Sequence, residues 1–318
     1  MKYVWCIAAI FLFFLLWGCG SGACGYQELF QLLSGCEIPG MQREILLEIR
    51  LPRLLAAFLT GGMLASSGAA AQNLFRNDLA SPHILGVIYG AALGAVLGLL
   101  LPVPSTVFSF LFALGALLLI FLPGKRFGWE SASLLLAGIA VNAFASSLTS
   151  GALYLADEKL SSVVFWMLGG FWRIGWEDVL LLGIAFVIGN GCLFFLRKEM
   201  DMLLLGDRSA ALSGVPLHRV KPLVLIAVAM MTAACVCCCG VIGFVGLAVP
   251  HIVRRFTRGV FSALLPASVL TGGILLLLAD FAARMVYIPH EIPVGILTSL
   301  AGGPFFFLLL LRRRKSHD

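Results

Sequence analysis

Long apolar runs joined by short, charge-bearing segments organise this chain from end to end. The runs fall at about 3–20, 54–74, 83–101, 105–123, 131–155, 179–196, 222–240, 243–253, 264–286 and 293–311. Roughly 20 mostly apolar residues are enough to cross the hydrocarbon layer as a helix. None of the runs alternates with the period of two that a membrane barrel strand would show. Backbone facing lipid must also satisfy its own hydrogen bonds, which a helix does. The pattern therefore predicts an all-α polytopic membrane protein with about ten transmembrane helices. Composition agrees, with 60% hydrophobic and 12% charged residues and a mean hydropathy of +1.01, well outside the soluble range. Residues 1–318 read as one transmembrane domain, with no soluble domain and no low-complexity linker.

The basic residues orient the spans. With the N-terminus inside, the inner segments hold Lys2, Arg76, Lys125, Arg126, Arg197, Lys198, Arg208, Arg219, Lys221, Arg254, Arg255, Arg258 and the tail Arg312, Arg313, Arg314 and Lys315. These are 16 of the 22 lysines and arginines. Arg43, Arg50, Arg53, Lys159, Arg173 and Arg284 lie outside. That bias follows the positive-inside rule and predicts N- and C-termini on the cytoplasmic side. The run 243–253 is the weak point, because eleven residues reach only about 16 Å as a helix. Read as re-entrant, it would leave 10 of the 22 inside and abolish the bias. It is therefore expected to be a short, buried crossing.

The first run also has features of a signal peptide, with Cys19 in LWGC hinting at a lipoprotein site. Trp17 fits such a site poorly, and an uncleaved first helix is the expectation. Cys24 and Cys36 are able to bridge if the outside is oxidising, but nothing in the sequence requires it. Cys235, Cys237, Cys238 and Cys239 crowd one helix end. Four sulfurs invite a soft metal, yet small apolar residues let membrane helices approach closely, and packing is the expectation.

Four blocks carry more specific information. They are RLPRLLAAFLTGGMLASSGAAAQNLFRNDLASPHILGVIYG from Arg50 to Gly90, WMLGGFWRIGW from Trp166 to Trp176, GVIGFVGLAVPHIVR from Gly240 to Arg254, and ADFAARMVYIPHEIPVGILTSLAGGPFFF from Ala279 to Phe307. In order, spacing and total length they resemble the permease subunits of the FecCD or BtuC-like family of type II ABC importers, which take up iron–siderophore complexes, haem and vitamin B12. The resemblance covers nearly the whole chain. It implies a single permease domain that works as two copies, joined by two copies of a separate cytoplasmic ATPase and by an extracytoplasmic substrate-binding protein, in the cytoplasmic (inner) membrane. An iron chelate is the expected cargo and cobalamin the alternative. The chain has no Gly-x-x-x-x-Gly-Lys-Ser/Thr loop for a nucleotide; its Gly124-Lys125 is followed by Arg126. It is thus expected to be no enzyme and to bind no cofactor or metal of its own, ATP and magnesium being used by the partner ATPase.

The resemblance also assigns residues. Arg50, Arg53 and Arg284 match outer arginines that dock acidic residues of the binding protein. Snorkelling of long basic chains to the interface is the competing reading, and Asp280, four residues before Arg284, is placed to pair with it. Asn77 and Leu79 match a cytoplasmic constriction. Aspartate stands at position 78 where the family has proline, which is expected to loosen the loop and add a negative charge. Asn142, Ser146, Ser147, Thr149 and Ser150 give the fifth span a polar stripe suited to lining the pathway or to gluing helices together. The inner segment 197–221 matches the loop that couples to the ATPase. It reads as two short helices broken near Gly206 and Gly214, with Gly206 and Ala210, Ala211, Leu212, Ser213, Gly214, Val215 and Pro216 as the coupling residues; a merely basic, lipid-facing loop is the competing reading. Position 241 holds valine where the family often has proline. His251 and His290-Glu291 have no metal-ligand spacing and read as hydrogen-bonding or docking groups.

Two rival classes leave weaker traces. An intramembrane enzyme needs a nucleophile with a base, or a motif such as His-Glu-x-x-His, and His290-Glu291 has no second histidine. An ion-coupled transporter needs intramembrane carboxylates, for which Asp280 is the one good candidate.

Overall fold

A computed structural model describes residues 31, 34, 40–82, 86–101, 103–126, 129–155, 160–257, 259–286 and 290–314. Its described elements are helices: α1 Gly40–Glu44, α2 Leu51–Phe75, α3 Val87–Leu100, α4 Ser105–Arg126, α5 Ser131–Tyr154, α6 Leu160–Met167, α7 Trp176–Phe195, α8 Arg197–Leu203, α9 Asp207–Leu212, α10 Leu217–Cys239, α11 Val245–Arg254, α12 Phe261–Met285 and α13 Val294–Arg314. A π-helical turn, Ile45–Arg50, joins α1 to α2 without a break. The expected first span, with Cys6, Cys19, Cys24 and Cys36, lies outside the described residues. Each of the other nine expected spans has its helix. Two elements were not expected from the sequence: the lead-in helix before Leu51, and α6 in the segment between the fifth and sixth spans.

Helix α2 is the axis of the bundle. Most of its length is buried on every side, from Pro52 to Phe75. It packs most extensively against α12, and then against α10, α11 and α7. Its sequence explains this position, since Gly61, Gly62, Ala65, Ser66, Gly68, Ala69 and Ala70 leave little side chain to hold neighbours away. Lipid tails are as apolar as leucine, so close van der Waals contact between small residues, more than a hydrophobic drive, holds membrane helices together. A Cβ on Gly61 would run into the carbonyl of Gly272 in α12, and one on Gly68 into the carbonyl of Gly246 in α11. By contrast, only 28% of the apolar window of each of α4, α5 and α7 is buried, against 83% for the α1–α2 helix. Those three helices leave much of their apolar surface, such as Leu118, Phe144 and Phe195, exposed on the outside of the bundle.

The run 243–253, the weak point of the hydropathy pattern, holds the ten-residue helix α11. Helix α10 climbs until Cys239 reaches Thr60 in α2. The turn 240–244 then reverses the chain, and α11 descends past Gly68 so that Arg254 meets Asp78, beyond the far end of α2. The chain on either side of α11 thus meets α2 at Thr60 and again just past its far end at Asp78, so α11 runs beside the second half of α2. The turn itself joins two others backbone to backbone. Gly170 donates its N–H to the Cys239 carbonyl at 2.9 Å, and Gly295 donates to Gly169 at 3.3 Å. Gly169 has φ +69°, which side-chain-bearing residues adopt only with strain.

Replacing Gly68 by leucine should lower stability by about 1–3 kcal/mol or more, because the packed backbone of α11 has no room to yield. Gly183 in α7 has no neighbouring atom in the way of a Cβ, so Gly183→Leu should leave the midpoint unchanged. Thermal unfolding of the two variants in detergent measures the difference.

Candidate functional site

At its Arg53 end, α2 carries Pro52 just after the π-helical turn, and the proline ring gives no N–H to the helix ladder there. Arg53 points across to Asp280 of α12, which is fully buried. Its Nε lies 3.1 Å from both carboxylate oxygens and its Nη2 lies 2.8 Å from Oδ1. Its Nη1 also holds Glu291 at 2.9 Å. Arg284, one turn beyond Asp280, places Nε 3.4 Å from the other carboxylate oxygen. The spacing-based pairing of Asp280 with Arg284 is therefore present, but the cross-helix bond from Arg53 is shorter and forked, the geometry in which guanidinium–carboxylate pairs are strongest. The structure brings together two of the three candidate docking arginines around one carboxylate, while Arg50 sits half-buried a turn earlier. The side chains of Arg53 and Arg284 are 11% and 15% exposed, and that of Glu291 is 40% exposed. Nothing in the sequence pointed to the Arg53–Asp280 pair, whose members lie 227 positions apart.

At the opposite end of α2, Arg76 takes a left-handed conformation and the Asn77 N–H reaches back to the Gln72 carbonyl at 3.0 Å. This closes the helix as glycine usually would. The Asn77 side chain accepts from the Leu79 N–H at 2.9 Å, an Asx turn. Asn77 and Leu79, the candidate constriction, are both exposed. The loop is not slack, as the exchange of proline for aspartate had suggested. Asp78 accepts from Arg254 at 2.5 Å, and Arg254 also donates to Gln72 at 3.1 Å. Gln72 in turn donates to the Leu247 carbonyl at 3.3 Å. An ion pair thus supplies the rigidity that a proline ring would have given.

Along α5, Asn142 and Ser146 are half-buried and Ser147 is exposed. Thr149 and Ser150 return their hydroxyls to the carbonyls one turn back, at 2.7 and 3.0 Å, so their polarity is spent within the helix. The segment expected to couple is two short helices, α8 and α9, hinged at Gly206 with φ +104° and ended at Gly214 with φ +88°. Ala210 and Val215 face the protein; Ala211, Leu212, Ser213, Gly214 and Pro216 face away from it. Leu205 and Leu212 are 75% and 83% exposed, with Met202 beside them. Exposed apolar side chains gathered on a polar segment mark a contact surface, and Met202 and Leu205 were not singled out in the sequence. The segment is anchored to the bundle. Asp201 accepts from the N–H and hydroxyl of Ser262 at the start of α12. Lys221 donates to Asp207 at 2.7 Å.

Cys235, Cys237 and Cys239 are buried and Cys238 half-buried. The Cys239 sulfur lies 3.4 Å from the Thr60 hydroxyl, and the Cys237 and Cys238 sulfurs are 3.8 Å apart. His251 sits edge-on to Phe305, with ring centroids 6.5 Å apart. A recess of about 420 Å³ near α6 is lined by Ser161, Phe165, Trp166, Trp172 and Arg173. Its only trace in the sequence was the density of aromatics in the second block.

Asp280→Ala should cost about 3–5 kcal/mol, since it strands two guanidinium groups without their shared counter-charge. The double variant Arg53→Met with Asp280→Leu should be closer to the parent, and a double-mutant cycle on thermal unfolding reads the coupling.

Comparison with known proteins places this geometry. The chain is 37% identical over 82% of its length to the Fe(3+)-citrate import system permease protein YfmD of Bacillus subtilis, covering 79% of that protein. It is 35% identical to the molybdate import system permease protein MolB of Haemophilus influenzae, over 87% of this chain and 84% of that one. It is 38% identical to the vitamin B12 import system permease protein BtuC of Citrobacter koseri, over 81% of this chain and 80% of that one. A solved structure of an inward-facing metal-chelate type ABC transporter superposes with a TM-score of 0.88 at 32% identity, covering 98% of this chain and 99% of that one. The FecCD transport family model matches residues 8–312. The chain belongs to the FecCD transport family and is a multi-pass membrane permease of the ABC importer type.

Proposed function

We propose that this chain moves an iron chelate, a siderophore complex or haem, across the cytoplasmic membrane as the permease of an ATP-driven importer. Two copies of it, two copies of a cytoplasmic ATPase and an extracytoplasmic binding protein make up the working assembly. The observation that carries the cargo is the near-complete superposition on a metal-chelate transporter, joined with the similarity to an iron-citrate permease. A cobalamin cargo is the second reading, favoured by a BtuC protein of equal similarity; a molybdate permease at 35% identity marks how widely related chains differ in cargo.

The proposed assignment puts the Arg53 end outside and the α8–α9 end in the cytoplasm, with both termini cytoplasmic. The loaded binding protein docks at the outer end, at Arg50 and on the cluster formed by Arg53 and Arg284 with Asp280 and Glu291. Within that cluster Arg53 and Arg284 already hold the buried carboxylate, so their charge toward a partner is partly spent, and their removal would disturb the fold as well as docking. ATP binding closes the ATPase dimer against Leu205, Leu212 and Met202. The α8–α9 segment then shifts the bundle, and the pathway beside α5, with Asn142, Ser146 and Ser147, changes the side it faces. Asn77 and Leu79 form the inner constriction, steadied by the Asp78–Arg254 pair. Ion coupling is the weaker reading, because Asp280 is held by guanidinium groups from two helices and offers no open carboxylate to a passing ion.

Uptake of radiolabelled ferric citrate, a hydroxamate siderophore complex, haem and cobalamin, compared in a strain lacking the gene, tests the cargo. Loss of the iron chelate alone, restored by the parent gene, is the expected result; loss of cobalamin alone would select the second reading. Arg50→Glu should cut the restored uptake by about tenfold, a coupling of ordinary size for a docked charge, with the amount of permease in the membrane unchanged. Full uptake by that variant would remove Arg50 from the docking surface.

A further inference from the structure

A buried ammonium group joins the start of α9 to the segment just before α5. Lys221 lies in the second turn of α10 with only 1% of its side chain exposed. Its Nζ donates to Asp207 Oδ2 at 2.7 Å and to the Trp129 carbonyl at 2.9 Å. Asp207 is the first residue of α9, directly after the Gly206 hinge. Trp129 is the second residue before α5, and its φ of +63° is a conformation that a bulky side chain rarely adopts. That conformation persists only where the surroundings over-determine it. Here the Trp129 ring packs edge-on against Phe121 of α4, with centroids 5.3 Å apart, and lies against Gly124, while its carbonyl is taken by the lysine.

We infer that Lys221 is a positioning residue that carries displacement of α9 to α5. The inference rests on the importer reading above. A buried ammonium that loses Asp207 is left with an uncompensated charge, and one that loses the Trp129 carbonyl gives up a charge-assisted hydrogen bond where no water replaces it, so Asp207, Lys221 and Trp129 are held together. Helix α8 has a separate tie, from Asp201 to Ser262 at the start of α12. Gly206 lies between the two ties. A push on the α8–α9 segment is therefore divided: α8 delivers it to α12 and the central α2, and α9 delivers it, through Lys221, to the start of α5. The helix so reached carries Asn142, Ser146 and Ser147. Lys221 touches neither the cargo nor the ATPase; it acts through the helix start it holds.

The test uses the complete complex of permease, ATPase and binding protein in proteoliposomes, and reads substrate taken up per ATP hydrolysed. The probes are ferric citrate, haem and cobalamin, whichever the parent complex transports. Lys221→Met should lower that ratio by about tenfold while the ATPase still co-purifies with the permease, and Lys221→Arg should restore it. The double variant Lys221→Met with Asp207→Leu leaves no stranded charge and should show the same lowered ratio. A merely structural role would reduce transport and ATP hydrolysis together and leave the ratio at the parent value, in either variant, and that result overturns the inference. A parent complex that recruits no ATPase, or takes up no probe, would overturn the importer reading itself and the inference with it.

Discussion

Backbone-to-backbone contact along α2 is the constraint on which the rest of the structure depends. Lipid supplies almost no hydrophobic incentive for one apolar helix to leave it for another, so association must come from close packing and from polar groups that find partners. Helix α2 supplies both. Gly61 meets Gly272 and Gly68 meets Gly246 with no room for a side chain between them. Above and below these contacts, polar groups bind the same neighbours: Arg53 to Asp280 of α12, Thr60 to Cys239 of α10, and Gln72 to Arg254 of α11. The glycine contacts set the distances at which those polar pairs meet.

This arrangement gives the bundle a buried centre around α2 and a more exposed outer set of helices. The α2–α10–α11–α12 core is buried and pinned at both ends by charge pairs whose rupture is costly. Helices α4, α5 and α7 have most of their surface outside it and are held mainly by their neighbours and by local ties. Polar ties sit at both ends of α2, with Asp280 and Glu291 at one and Asp78, Asp201 and Asp207 at the other.

Much of the architecture was legible in the order of residues. The positions of nine helices, the short α11 among them, and the breaks at Gly206 and Gly214 follow from hydropathy and glycine placement. The candidate residues were less legible. Arg53 and Arg284 were recognisable as a pair of basic positions near one end, yet their common partner was not, and Asp78 read as a loosening change until Arg254 was found against it. Lys221 read as one more inner charge at the edge of a loop. Helix α6 and the helical lead-in to α2 escaped because neither is long or apolar enough to stand out from its surroundings.

The sequence by itself determined what is local and one-dimensional: which stretches prefer lipid to water and where glycine permits a break. Those preferences act on each segment whatever surrounds it. Only the tertiary structure decided which charge meets which. Arg53 and Asp280 are separated by 227 residues, Asp78 and Arg254 by 176, and Trp129 and Lys221 by 92. The favourable energy of each pair depends on a separation of about 3 Å and on the exclusion of water, and both arise only when α2, α10, α11 and α12 have packed.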